Sequence, residues 1–578
     1  MTTEQNVYSS DLKVKSRRIN RFDLLLVFFV SLALWGLAQN SQQMAAPYAI
    51  GQPIALSLSP FKLPGYALHT VIRMFIALFF SVLASFILGA WAAKSKRAEQ
   101  IIIPAIDVLQ AVPVLSFLAL TVSGFIQLFP GSLLGPECAS IFVIFTSQVW
   151  NIIFVFYQSL KMVPHDLKEA ASMFQLSAWR AFWRIEVPFA IPGLLWNMMI
   201  SMSASWFFVV LSEAILVSHQ QIRLPGVGSY IAIAIEQQDM WAVCYAIVTM
   251  VVVIFLYDQL FFRPLVAWSE KFRMEPSDES PYQSWLLDWI YQASMQKQIN
   301  EWLYRFRHRW IGASFWNIIF KPSERILLTK NRSKFDDLWS IFLVTGILFS
   351  FSFAGVYFYN KFGFYEIGRV FYLGALTGLR VIVLIILSSL VWIPIGVMIG
   401  LRSRLAQNMQ PIIQFLAAFP ANLFYPVFVV MIVKFHLNPE IWLTPLMILG
   451  TQWYILFNVI AGTSVIPSDF KLLTKNFHVK GWLWWRKLIF PAIFPYFVTG
   501  AVTAAGGAWN ASIVAECVSW GDLTLKATGL GEYIATQTIS GDFSRLVLGT
   551  LVMCVYVLLF NHVFWRPMYR FAQERFGL

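Results

Sequence analysis

The stretch VPHDLKEAASMFQLSAWRAFWRIEVPFAIP, Val163 to Pro192, decides how this chain is read. It is charged, helical in pattern and bracketed by prolines, with long apolar runs on both sides. The 578-residue chain is 58% hydrophobic, 17% aromatic and only 13% charged, against ~25% charged in an average soluble domain. Apolar runs of about 20 residues follow one another, each long enough to cross a bilayer as a helix. A polar helix between two such runs must lie outside the hydrocarbon, so its side of the membrane is the first question.

The apolar pattern predicts an all-α membrane protein with about twelve transmembrane helices, near 22–38, 70–93, 105–128, 139–160, 190–216, 241–262, 338–359, 376–400, 411–434, 441–464, 492–515 and 544–565. The first apolar run, Leu24 to Leu37, has no small-residue cleavage site after it and reads as a retained helix. Basic residues orient the spans. Lys13, Lys15, Arg17, Arg18 and Arg21 precede the first span, and Lys94, Lys96 and Arg97 follow the second. The opening stretch adds Lys161, Lys168, Arg180 and Arg184, whereas the alternate loops hold only Lys62 and Arg223. Arg402, Arg404, Lys471, Lys475, Lys480, Arg486, Lys487, Arg566, Arg570 and Arg575 fall on the same side in the second half. Both termini and the opening stretch are therefore expected in the cytoplasm. The net charge of +13 follows from this sidedness, so nucleic acid is not an expected partner.

The chain repeats itself. Pro164, Asp166, Lys168, Phe174, Trp179, Pro188 and Pro192 recur 303 residues on as Pro467, Asp469, Lys471, Phe477, Trp482, Pro491 and Pro495. The same offset carries Trp206 to Trp509, Glu213 to Glu516, Gly226, Gly228 and Tyr230 to Gly529, Gly531 and Tyr533, and Asp239 to Asp542. Upstream the offset is 307, matching Thr70, Arg73, Gly89 and Pro113 to Thr377, Arg380, Gly396 and Pro420. The change of register belongs to the outer loop near 129–138. Residues 1–264 form a first six-span repeat and 338–578 a second. An even number of spans makes the repeats parallel, related by an axis along the membrane normal. Residues 265–337 form a cytoplasmic connector, in which Trp285, Trp289, Ile299, Trp302, Phe306 and Trp310 are placed to share one face of an interfacial helix.

Within the opening stretch stand Glu169-Ala170-Ala171 and Ile185-Glu186-Val187-Pro188. Here the chain resembles the permease subunits of binding-protein-dependent ABC importers, whose mark is a cytoplasmic E-A-A loop. SASWFFVVLSEAI with PGVGSYI, and GGAWNASIVAECV with TGLGEYI, look like the nitrate/sulfonate/taurine branch. The resemblance covers nearly the whole chain, as two fused copies. It implies that ATP and Mg are bound by a partner subunit and not by this chain. It also implies two ATPase subunits at the cytoplasmic loops, a periplasmic or extracellular solute-binding protein, and a bacterial inner-membrane location. On this reading the coupling residues are Asp166, Lys168, Glu169, Ala170, Ala171, Phe174 and Trp179, with Asp469, Lys471, Phe477 and Trp482 in the second loop. The chain departs from the pattern in two ways. The loop glycine is Gln175 in one copy and His478 in the other, and Leu472-Leu473-Thr474 replaces E-A-A.

The residues support the resemblance independently. Prolines separate a short helix from its neighbouring span, and Phe174, Trp179 and Phe182 are suited to a groove on a soluble partner. No G-x-x-x-x-G-K-[ST] loop is present to cradle phosphates, so the chain is not expected to be an enzyme. Cys138, Cys244, Cys517 and Cys554 form no C-x-x-C pair, and no metal site is expected. The alternative class is a secondary transporter of two parallel six-helix halves. Against it, the loops AKSKRAEQ and LRSRLAQN lack the Asp of the basic motif usual in that class.

The fifth and eleventh spans carry small-residue runs, SMSAS and TGAVTAAGGA, suited equally to close packing and to a pathway wall. Trp206 and Trp509 follow them. Counted from Ala190, Trp206 lies ~24 Å along its helix, as a constriction or an interface anchor. Glu213 and Glu516 lie further out, and intramembrane acids are functional suspects. Arg73 and Arg380 are expected to start spans two and eight at the same face. They either brace the outer gate by pairing with these acids or draw anions in. The glycines of PGVGSYI and TGLGEYI make turns or a ledge for the binding protein. Nitrate, sulfonates, taurine, bicarbonate and an aromatic precursor all stay open as substrates.

Overall fold

The structure is a computed structural model, and it describes residues 56–217, 220–272 and 334–576 together with Met44 and Pro47. The expected first span and most of the connector lie outside these residues. In the first half the main helices are α1 (Leu63–Ala84), α2 (Lys96–Ala111), α3 (Val114–Leu128), α4 (Leu134–Lys161), α5 (His165–Met173) and α6 (Val187–Glu213). A hairpin of β1 (Ala214–Val217) and β2 (Gln220–Arg223) follows, then α7 (Val227–Glu236) and α8 (Met240–Tyr257). The second half runs α9 (Lys334–Gly400), α10 (Ser403–Ala418), α11 (Tyr425–Lys434), α12 (Trp453–Ser464), α13 (Ser468–Asn476) and α14 (Phe490–Ala515). It ends with β3 (Cys517–Trp520), β4 (Leu523–Lys526), α15 (Leu530–Ser540), α16 (Phe543–Phe560) and α17 (Arg566–Phe576).

Among the described residues seven helices are long and apolar enough to span a membrane, or eight if the bent pair Arg404–Ala418 and Ala421–Lys434 is one span. The expected first span and most side chains of the expected seventh lie outside the described residues, and proline and glycine interrupt others of the expected twelve. Pro113 separates α2 from α3. In the expected tenth span, Pro445 and Gly450 lie in the irregular stretch before α12, where the missing N–H and the missing side chain both weaken a helix. The expected seventh and eighth spans run on as α9, whose backbone breaks at Gly363 (φ 74). Gly355–Gly400 is the part that meets the length and hydropathy of a span.

The long helices pack by different chemistry in the two halves. In the first, α4 and α6 are joined by side-chain hydrogen bonds: Ser140–Ser212 at 2.8 Å, Ser147–Ser205 at 2.7 Å, and Asn151 Nδ2 to Ser201 Oγ at 2.9 Å. At the matching positions of the second half stand Leu443 and Ala515, Gly450 and Ala508, Tyr454 and Ala504. There close approach replaces polar bonding. A Cβ on Gly500 would lie 2.7 Å from the Tyr454 carbonyl oxygen, and one on Gly507 would lie 2.3 Å from Thr451 Cγ2. Both are recognised ways of joining helices in lipid. The small-residue runs therefore serve packing on their buried faces, while Thr499 and Thr503 are exposed on the other face of α14.

Each long outer-end helix runs into an antiparallel hairpin, registered Ala214↔Arg223 and Cys517↔Lys526. These hairpins are not part of the sequence reading, which has loops there. They bridge the halves: the Gly521 N–H donates to the Ile235 carbonyl at 2.9 Å. Asn510 Oδ1 likewise accepts from the Val114 N–H at 2.9 Å, and Thr550 donates to Ser116 at 3.0 Å.

Candidate functional site

At the end of the helices where the basic residues cluster, the opening stretch is two pieces. The first, α5, starts after Pro164. The second begins at Ala178, passes through a π-helical turn at Phe182–Glu186 and continues as α6, so that Ala178–Glu213 is one run. The expectation that Pro188 and Pro192 cut the helix from its span is thus corrected. Pro188 falls in the first turn of α6, where no N–H is needed, and the wide π turn ahead of it absorbs the register change.

The break comes earlier, at Gln175. Its φ is 48°, and the Leu176 N–H donates to the Ala171 carbonyl at 3.0 Å. This is the left-handed helix stop that glycine normally occupies. His478 has φ 51°, and the Val479 N–H donates to the Thr474 carbonyl at 2.9 Å. Both departures from the loop glycine therefore keep its backbone and carry the steric cost of a side chain there.

Phe174 is 78% exposed and Phe477 75%. Asp166, Lys168, Glu169 and Asp469 are also exposed, Ala170 is half-buried and Ala171 buried. His165 lies 3.0 Å from Glu169, one turn away. The Lys471 side chain lies outside those described. Trp179 and Phe182 are buried against their own chain, Trp179 packing on Phe182 and on Trp183. Neither is free to enter a partner's groove, which corrects the expectation for both. In the second copy Trp482 is exposed and tilts against Phe490.

At the outer end the expected arginines and acids come together with further residues. Helix α1 begins at Leu63, so Arg73 lies ~15 Å along it and does not start it. The Arg73 guanidinium is fully buried. Its Nη1 donates to Glu213 Oε1 at 2.7 Å, while Nε and Nη2 grip both oxygens of Glu137 at 2.6 Å. Bidentate arginine–carboxylate pairs are the strongest and most directional of such bonds. Glu213 Oε2 accepts from the Gly228 N–H at 2.7 Å. Thr70 Oγ1 accepts from the Val227 N–H at 3.1 Å, so the turn before α7 is tied to α1 and α6 together.

The second half repeats this geometry. Arg380 donates to Glu516 at 3.0 Å and to Glu440 at 2.6 Å. Glu516 accepts from the Gly531 N–H at 2.8 Å and from Thr377 at 2.9 Å, and Thr377 accepts from the Leu530 N–H at 2.9 Å. Here the cluster is partly open: the Glu440 side chain is 44% exposed, against 1% for Glu137. Burial opposes ionisation of Glu440, but the hydroxyl and N–H of Thr528 and the Arg380 guanidinium outweigh it and hold the carboxyl below its ordinary range.

Glycine at Gly226, Gly228, Gly529 and Gly531 is a matter of space. A Cβ on Gly226 would lie 2.2 Å from the Glu213 carboxylate, and one on Gly228 2.0 Å from the Val210 carbonyl oxygen. These residues line the inner side of an ionic latch, which corrects the ledge reading. Glu137 and Glu440 are absent from the expected site residues. They stand 303 apart, so the second offset already holds inside the loop taken as variable.

Trp206 and Trp509 are both buried. Trp206 meets Tyr257 edge-on at 5.6 Å, and Trp509 lies 6.1 Å from Tyr556 and from Phe560. Each packs on the last described span of its own half.

The profile of the binding-protein-dependent transport system inner membrane component matches residues 85–263 and again 392–574, well over half the chain. The chain belongs to this family. Each match takes in one polar loop with its exposed phenylalanine and one buried acid, Glu213 or Glu516. Relatives of this inner membrane component include the bicarbonate transport system permease protein CmpB of Synechococcus elongatus, 27% identical over 180 residues, 31% of this chain and 62% of that protein. The nitrate import permease protein NrtB of Leptolyngbya laminosa is 26% identical over 182 residues, 32% of this chain and 62% of its own. The glycine betaine/proline betaine transport system permease protein ProW of Escherichia coli is 27% identical over 195 residues, 34% of this chain and 51% of its own. The matched segment thus spans less than two thirds of these relatives.

Proposed function

We propose that this chain is the permease component of an ATP-driven importer for a small anion such as bicarbonate, nitrate, taurine or another sulfonate. Its two halves, 1–264 and 338–578, form the pathway in a bacterial inner membrane, with both termini in the cytoplasm. ATP and Mg bind to two partner ATPases seated on the loops at Phe174 and Phe477. A solute-binding protein delivers the anion to the outer hairpins. One observation carries this reading: each half pairs a polar cytoplasmic helix bearing an exposed phenylalanine with an ionic latch at the opposite end of the long helix that follows.

The latch closes the outer end of each half. Nε, Nη1 and Nη2 of Arg73 all donate to carboxylates, and the side chain is fully buried, which supports a brace over a site for a passing anion. Movement of a cytoplasmic loop pulls on α6 or α14 directly, because the loop's second piece is continuous with the span. The test is reconstitution in liposomes with the cognate ATPase and binding protein. Uptake of labelled bicarbonate or nitrate that requires ATP, and persists with proton and sodium gradients collapsed, supports the reading. Uptake driven by an ion gradient without ATP overturns it.

A further inference from the structure

The second half holds an elongated crevice of about 570 Å³ between α9, α14 and α16, reaching the cytoplasmic loop. Its lining is almost wholly apolar. The Ser389 hydroxyl in its wall is already committed, donating to the Ile385 carbonyl at 2.6 Å. Along α14 and the turn before it, the lining runs from Trp485 to Trp509, a rise of roughly 35 Å. The volume is therefore drawn out lengthwise and does not form a compact pocket. Ile386, Leu390 and Phe564 on its walls are about half exposed or more, so it opens sideways from spans that lie in the bilayer.

Among the described residues, the first half carries bulkier side chains at several positions that match this lining. At the matching positions Gly378 is replaced by Val71, Ile382 by Phe75, Ile393 by Phe86 and Ala505 by Met202. Phe75 meets Phe261 edge-on at 4.7 Å, and Phe86 stacks on Trp183 at 5.7 Å. At these four positions the first half carries the larger side chain.

We propose that the crevice is a binding site for one acyl chain of an anionic phospholipid. A long apolar groove open to the hydrocarbon matches an extended chain. At its cytoplasmic mouth Arg486 and Lys487 are exposed on the same turn as Trp485, and Arg570 is exposed just after the lining Met568. These cations lie close in sequence to the lining, where a lipid phosphate at the headgroup level would be drawn to them. Because Trp482 and Trp485 belong to the second cytoplasmic loop, the bound lipid packs that loop against its spans as side chains do in the first half.

The test uses the full transporter in phosphatidylglycerol vesicles containing a trace of phosphatidylglycerol with a photoreactive acyl group, followed by peptide mapping. Label concentrated on 378–394 and 485–509, over the matching 71–87 and 182–206, is expected; equal labelling of both halves overturns the site. Gly378→Val with Ala505→Met installs the first half's side chains. A Cβ on Gly378 stands 3.3 Å from Phe560 and Trp509 side-chain atoms, a contact those rings relieve by a small shift. This variant is expected to lose labelling about tenfold, the equivalent of roughly two buried methylenes, with first-half labelling unchanged; undiminished labelling overturns the proposal. Equal labelling by the phosphatidylcholine analogue overturns the anionic part.

Discussion

Replacing Arg73 with methionine tests the latch most sharply when set against the same change at Arg380. Arg73→Met strands Glu137 at 1% exposure and leaves Glu213, at 0%, with the Gly228 N–H as donor. Removing one partner of a buried ion pair costs ~3–5 kcal/mol. Arg380→Met leaves Glu516 with donors from Thr377 and the Gly531 N–H, and Glu440 is open enough to be rehydrated. The cost there is about 1–2 kcal/mol, between an exposed pair and a charged hydrogen bond. The difference of roughly 2–3 kcal/mol corresponds to a melting temperature lower by about 4 °C or more for Arg73→Met, taking ~2–4 °C per kcal/mol for folding units this size. The assay is thermal unfolding of the purified transporter in detergent, followed by light scattering and tryptophan fluorescence. Arg73→Met combined with Glu137→Gln and Glu213→Gln is expected to recover most of the loss, since the cost lies in the stranded charges. Equal losses for the two arginines, or no recovery in the triple variant, would refute the reasoning.

Gly228→Ala and Gly531→Ala drive a methyl group to within 2.0 and 2.3 Å of a backbone carbonyl. Each is expected to abolish uptake and lower the melting temperature, whereas Gly65→Ala, with nothing within 4 Å, leaves both unchanged. Gln175→Gly and His478→Gly relieve left-handed strain and are expected to stabilise their loops by about 1 kcal/mol, read as slower amide exchange in α5 and α13. The Glu440 carboxyl has a folded pKa below its ordinary value near 4.5. Its contribution is therefore full above that value and is lost as pH falls through the lowered one. Protection of the Thr528 amide should drop across that acid window, and Glu440→Gln should remove the step.

Much of this was legible in the sequence because the repeat keeps its special residues. The 303 offset located both polar loops and paired Glu213 with Glu516. Arg73 with Glu213 follows from one rule, that a charge buried in a membrane needs an opposite charge. Glu137 escaped because the outer loop was treated as unalignable, although its partner Glu440 sits at the same offset. The hairpins escaped because four-residue strands such as AILV and QQIR carry no alternation strong enough to set against the apolar background. Hydropathy hides helix breaks: Pro113, Pro445 and Gly363 change the backbone without changing the apolar score. Trp179 was misread for a similar reason, since an aromatic residue on an amphipathic helix packs equally well onto its own chain.

The most direct test of the whole account is co-purification from membranes. The intact chain is expected to bring down an ATPase subunit at two copies per chain. Phe174→Asp or Phe477→Asp alone should lower that amount, and the two together should abolish it, while the melting temperature of the permease stays unchanged because both side chains are exposed. Full retention of the ATPase by the double variant, or its absence from the intact chain in membranes that still take up the anion, would contradict the account.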